Sequence, residues 1–104
     1  RNNEVLETKG DKQSIGRFSG SNKFKSHEIN LEKGDTIYTF TDGYPDQFGG
    51  AKGKKFMYKP FRELLLSLSS EPVHQKEQII GDAFENWKGD FEQLDDVCVI
   101  GVKI

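Results

Sequence analysis

Cysteine is nearly missing from this chain: Cys98 is the only one. A single thiol rules out an internal disulfide and fits a reducing cytoplasm. Cys98 lies within an apolar run and reads as a small buried hydrophobe. Histidine is almost as scarce. His27 and His74 each lack a second histidine nearby, so neither makes a zinc ligand. No stretch reaches the ~20 consecutive apolar residues of a membrane span, and no signal-peptide core is visible, so this segment is expected to make no membrane contact. A basic excess is also lacking. Fifteen Lys and Arg against seventeen Asp and Glu leave a formal charge of −2, which excludes a nucleic-acid footprint. Disordered chains are poor in aromatics, whereas here aromatics are 12% of 104 residues, enough for one small folded domain or part of a larger one.

Residues 1–9 read as a weak strand anchored only by Val5 and Leu6. Two loops follow, Gln13-Ser14-Ile15-Gly16 with Ile15 as a buried candidate, and Ser19-Gly20-Ser21-Asn22. Phe24 to Leu31 alternates loosely and reads as a strand. The turn Glu32-Lys33-Gly34-Asp35 joins it to Thr36–Thr41, whose β-branched and aromatic residues suit a strand. A hairpin of these two strands is expected. If the second stays extended, Asp42 shares a face with Tyr38 and Phe40. Tyr44 to Lys59 holds three glycines and four lysines without periodicity and reads as a long loop.

Pro60 suits the first turn of a helix whose apolar face is Phe61, Leu64, Leu65 and Leu68. Ser69-Ser70-Glu71-Pro72 breaks it. A second helix presents Ile80, Ala83, Phe84 and Trp87, and Gly89 ends it. Val97 to Ile104 is nearly continuous in apolar residues, the pattern of a strand covered on both faces. The order β, β-hairpin, α, α, β is that of an α+β fold. No internal repeat or low-complexity tract is present.

Two acidic motifs mark strand ends: Thr41-Asp42-Gly43 closes one, and Asp95-Asp96 opens the last. Each alone has a bland reading, as turn chemistry or as a charged loop end. Gly43 lets the backbone turn away sharply after Asp42. Two carboxylates pinned beside hydrophobic strands suggest a divalent-cation site, and oxygen ligands suit Mg²⁺ or Mn²⁺. Other motifs fail. Gly53-Lys54 lacks the glycine five residues earlier that a phosphate loop needs, since Phe48 stands there, and no Ser or Thr follows. Asp42 to Asp46 lacks the spacing of a calcium loop, and Asp46 reads as a turn cap. Lys52, Lys54 and Lys55 read as a solvated loop, with steering of a phosphoprotein substrate as the functional alternative.

The run Leu31-x-x-Gly34-Asp35-x-Ile37-x-x-x-Thr41-Asp42-Gly43, followed by helices and Gln93-x-Asp95-Asp96-Val97-x-Val99, resembles the SpoIIE-like serine phosphatases, bacterial relatives of the type-2C (PPM) metal-dependent protein phosphatases. The likeness runs over essentially the whole chain and includes Gln13-Ser14-Ile15-Gly16. It implies part of a β-sandwich flanked by helices, with two Mn²⁺ or Mg²⁺ ions at one end. Asp42 and Asp95 match metal ligands, and Asp96 falls where a residue orients ligands or water. The implied reaction is hydrolysis by metal-activated water, with no Ser or Cys nucleophile. The implied substrates are phosphoserine or phosphothreonine proteins, including small anti-anti-sigma regulators.

The family's earlier metal motifs are absent from residues 1–104, which are therefore expected to be the C-terminal portion of a single phosphatase domain. Such a piece should be inactive alone, and its exposed sheet should invite dimerisation or strand exchange. The expected setting is bacterial signalling in the cytoplasm, including the cytosolic output domain of a larger sensor. The alternative is a degenerate phosphatase-like module that binds a regulator without catalysis.

Overall fold

The computed structural model describes residues 1–16 and 23–104. In chain order it has β1 (Thr36–Phe40), a short hairpin of β2 (Phe48–Gly49) and β3 (Lys54–Lys55), α1 (Tyr58–Ser67), a 3₁₀ turn (Leu68–Ser70), α2 (Val73–Lys88) and β4 (Val99–Lys103). β1 pairs antiparallel with β4, Thr36 opposite Lys103 and Phe40 opposite Val99. β2 pairs with β3 in a separate two-stranded sheet. The fold is α+β, as the element order implies.

Both helices form where the apolar spacing places them. Pro60 lies in the first turn of α1, Phe61 and Leu65 are buried, and Leu68 in the 3₁₀ turn is 1% exposed. On α2, Phe84 is buried and Ile80, Ala83 and Trp87 are half-buried, with Gly89 closing the helix. The core is chiefly aromatic. The Phe61 ring lies 4.8 Å from both Tyr44 and Phe40, and Phe84 lies 5.1 Å from Tyr44. Burial of such rings is the main stabilising contribution, and their tilted and edge-on packing adds to it.

Tyr38 and Phe40 share a sheet face with Val99, and this face packs on the helices. The opposite face is bare: Ile100 and Val102 are each about half exposed. The two-sided cover expected for Val97–Ile104 is thus present on one side only, because no second layer lies over Ile100 and Val102 among the described residues. For the same reason Cys98, expected to be buried, is exposed.

The hairpin expected between Phe24–Leu31 and Thr36–Thr41 does not form. The turn is present, with the Asp35 amide donating to the Glu32 carbonyl at 3.1 Å, but 23–31 carry no strand. Phe24 and Ile29 have opposite parity, so an extended chain would put them on opposite faces, and both are exposed. The β1 ladder goes to the more apolar β4 instead. No strand forms at residues 1–9 either, and Ile15 is 93% exposed. The loop at Ser19–Asn22 lies outside the described residues.

The stretch Tyr44–Lys59 is more structured than its composition suggests. It contains the β2–β3 hairpin, and Tyr44, Pro45 and Gln47 are buried. Gln47 ties the region together. Its side-chain amide donates to the carbonyls of Phe48 (2.9 Å) and Glu92 (3.0 Å), and its own carbonyl accepts from Trp87 Nε1 at 2.8 Å. Trp87 is the packing anchor expected of it, its ring 5.5 Å from Phe56.

Candidate metal centre

Antiparallel pairing sets the end of β1 beside the start of β4, and this brings the two acidic motifs together. The ladder continues past Phe40: the Thr41 amide donates to the Cys98 carbonyl at 3.0 Å. β1 stops there. Asp42 opens a turn closed by the Asp46 amide donating to the Asp42 carbonyl at 2.9 Å, so Asp42 lies beyond the strand whose face it was expected to share.

Gly43 is buried against the segment from Asp96 to Val97. A Cβ there would lie within contact of the Asp96 carbonyl oxygen, 2.9 Å from its carbon and 3.2 Å from Val97 Cγ2. Its backbone lies outside the left-handed region, so this position needs glycine for close approach and not for the sharp turn the sequence suggests. Asp95 is held by its own segment. Gln93 Nε2 donates to the Asp95 carbonyl at 3.0 Å, and the Asp96 amide donates to Asp95 Oδ1 at 2.8 Å.

The Asp42 and Asp95 side chains meet closely enough to interact directly. Asp95 raises the Asp42 pKa, first as hydrogen-bond partner of the protonated carboxyl and then by like-charge repulsion; burial and Asp46 add to the effect. Asp46 is itself drawn toward Lys55, at 3.7 Å. Tyr58, at the start of α1, feels the same acidic field. Its pKa is raised by burial and then by Asp46 and Asp42. Nothing in the spacing of the sequence marks Tyr58 or Gln47 as neighbours of this region, since folding alone brings them there.

The Asp96 side chain makes no hydrogen bond to a described residue; its backbone makes the contacts. Of the three lysines singled out, Lys55 reaches Asp46, and its ammonium lies 6.0 Å from the centre of the Phe48 ring. Lys52 and Lys54 are exposed on the hairpin. Among the described residues no three His, Cys, Asp or Glu converge as a complete metal-binding group. Two oxygen donors converge, a set suited to a hard divalent cation and too small to enclose one.

The family model for stage II sporulation protein E (SpoIIE) matches residues 1–104, the entire chain. The chain belongs to the SpoIIE family. Its fold matches the SiaA-PP2C domain of Pseudomonas aeruginosa with a TM-score of 0.74 at 26% identity over 80% of this chain. The match covers 34% of the SiaA chain, so this SpoIIE-family chain spans about a third of that structure. No curated protein matches it. Asp42 and Asp95 are thus the paired carboxylates of a SpoIIE-family chain with a PP2C-type phosphatase fold.

Proposed function

We propose that the chain is the C-terminal portion of a metal-dependent serine/threonine protein phosphatase domain, in which Asp42 and Asp95 hold Mn²⁺ or Mg²⁺. The observation that carries this is the convergence of two carboxylates from distant segments at one end of the β1–β4 sheet, close enough for Asp95 to raise the Asp42 pKa. Uncompensated carboxylates at close range repel, and Asp42 and Asp95 would relieve that repulsion by holding a divalent cation.

A bound divalent cation would supply Lewis acidity toward a phosphoryl oxygen and make water acidic enough to attack near neutral pH. The chain's own residues supply the frame. Asp42 and Asp95 present oxygen donors from two backbone segments. Gly43 lets those segments approach closely, and the Asp96 backbone fixes the Asp95 carboxylate. Lys52, Lys54 and Lys55 give the hairpin positive charge that steers a phosphorylated protein toward the acidic end. The substrate class is a phosphoserine or phosphothreonine protein, such as an anti-anti-sigma regulator. The setting is cytoplasmic bacterial signalling. The lone Cys98 fits a reducing compartment, and among the described residues no helix is long and apolar enough to cross a membrane.

The test is Mn²⁺-dependent hydrolysis of an aryl phosphate by the full-length protein, compared with Asp42→Asn. Activity should fall by more than the roughly 10–100-fold that loss of a supporting hydrogen bond costs. The metal-free variant should melt no lower than wild type, because the substitution removes a like charge facing Asp95. Undiminished Mn²⁺-dependent turnover would sink the ligand assignment. A folded wild type with no activity would favour the non-catalytic binding module.

A further inference from the structure

The β1–β4 ladder ends in a substitution of side chain for backbone. In an antiparallel pair, directly opposed residues at hydrogen-bonded positions exchange two backbone bonds, and such positions recur every second residue. Thr41 and Cys98 occupy one. The Thr41 amide donates to the Cys98 carbonyl at 3.0 Å, as the ladder requires. The reciprocal bond is diverted: the Cys98 amide donates at 3.0 Å to Thr41 Oγ1. The same hydroxyl donates its proton to the Asp96 carbonyl at 2.8 Å. With its proton and an acceptor position engaged, the hydroxyl links two backbone groups of the segment that follows Asp95.

From this we infer that Thr41 is a positioning residue that sets Asp42 against Asp95. The inference rests on the metal-site reading above. Because the side chain takes the place of the Thr41 carbonyl, the chain can leave the ladder and turn at Asp42 without releasing β4. The hydroxyl belongs to the residue immediately before Asp42, and the carbonyl it holds belongs to Asp96, the residue immediately after Asp95. Rotation of the Thr41 side chain would therefore alter the carboxylate spacing directly. The β-branched side chain restricts that rotation, and serine, with the same hydroxyl and no γ-methyl, would hold it less firmly. Valine keeps the shape and loses both hydrogen bonds. Thr41 and Cys98 are exposed, so water can satisfy the freed amide and carbonyl and the fold should survive.

The experiment uses the full-length protein with Thr41→Val, Thr41→Ser and Asp42→Asn, titrated with Mn²⁺ by calorimetry, with amide hydrogen exchange followed at Cys98. Thr41→Val should weaken Mn²⁺ binding by roughly 10–100-fold and speed exchange at Cys98, while Thr41→Ser should fall between it and wild type. Wild-type Mn²⁺ affinity in Thr41→Val, with Asp42→Asn impaired, would overturn the positioning role and leave the ligand assignment standing. Equal losses in the valine and serine variants would also overturn it, since the hydroxyl would then not be the cause. Unimpaired binding in Asp42→Asn would overturn the ligand assignment and the positioning role with it.

Discussion

Replacing Gly43 with alanine tests how closely the two acidic segments must approach. The added Cβ would lie 2.9 Å from the Asp96 carbonyl carbon and 3.2 Å from Val97 Cγ2, and nearer still to the Asp96 oxygen. Attractive carbon–carbon contacts begin near 3.5 Å, so about 0.6 Å of relief is needed at the Asp96 carbon and more at its oxygen. The obstacle is backbone, not the free end of a side chain. Relief must come from straining the turn after β1 or from moving the Asp95–Val97 segment. The first route costs about 1–3 kcal/mol, the usual range for overpacking. The second displaces Asp95 and appears as weaker Mn²⁺ binding. Urea unfolding and Mn²⁺ titration of the full-length protein together separate the routes, and at least one should register. Gly81→Ala is the control. Gly81 lies inside α2 with nothing within 4 Å of an added Cβ, so alanine there should stabilise by about 0.5–1 kcal/mol. A Gly43→Ala protein with wild-type stability and wild-type Mn²⁺ affinity would refute the close-approach argument.

Tyr44→Phe removes the hydrogen bond from the buried Tyr44 hydroxyl to the Ile80 carbonyl (2.7 Å) and should cost about 0.5–1.5 kcal/mol in urea unfolding. Burial lifts the Tyr44 pKa from 10.0 to about 12, so the folded state retains a proton that the unfolded state loses. Stability should therefore decline as pH rises from 10 toward 12, and the phenylalanine variant should lack this component of the decline. At the acid end, Asp35 accepts two bonds from Arg1 (3.1 and 2.6 Å) and one from the Glu32 amide, which hold its pKa at about 2 against an ordinary 3.8. That contribution is complete above pH 4 and is lost as pH falls toward 2, and Arg1→Gln should flatten this part of the acid melting profile.

The helices were legible from the sequence because an amphipathic helix carries its register within itself. Phe61, Leu64, Leu65 and Leu68 mark one face without reference to anything else in the chain. The strand at Thr36–Phe40, the turn before it and the acidic motifs at Asp42 and Asp95 were legible for the same reason, each being a local pattern. A strand's partner is not local. Alternation tells which residues share a face and is silent on which strand supplies the hydrogen bonds, so the sequence pointed to the nearby segment 24–31 as the partner. Tertiary structure decided for β4, and that choice alone carries Asp95 to Asp42 and puts the Thr41 hydroxyl between Asp96 and Cys98. It also decided exposure. Cys98 and Ile100 belong to an apolar run, yet cover depends on a second layer of structure, which no periodicity within a strand can supply.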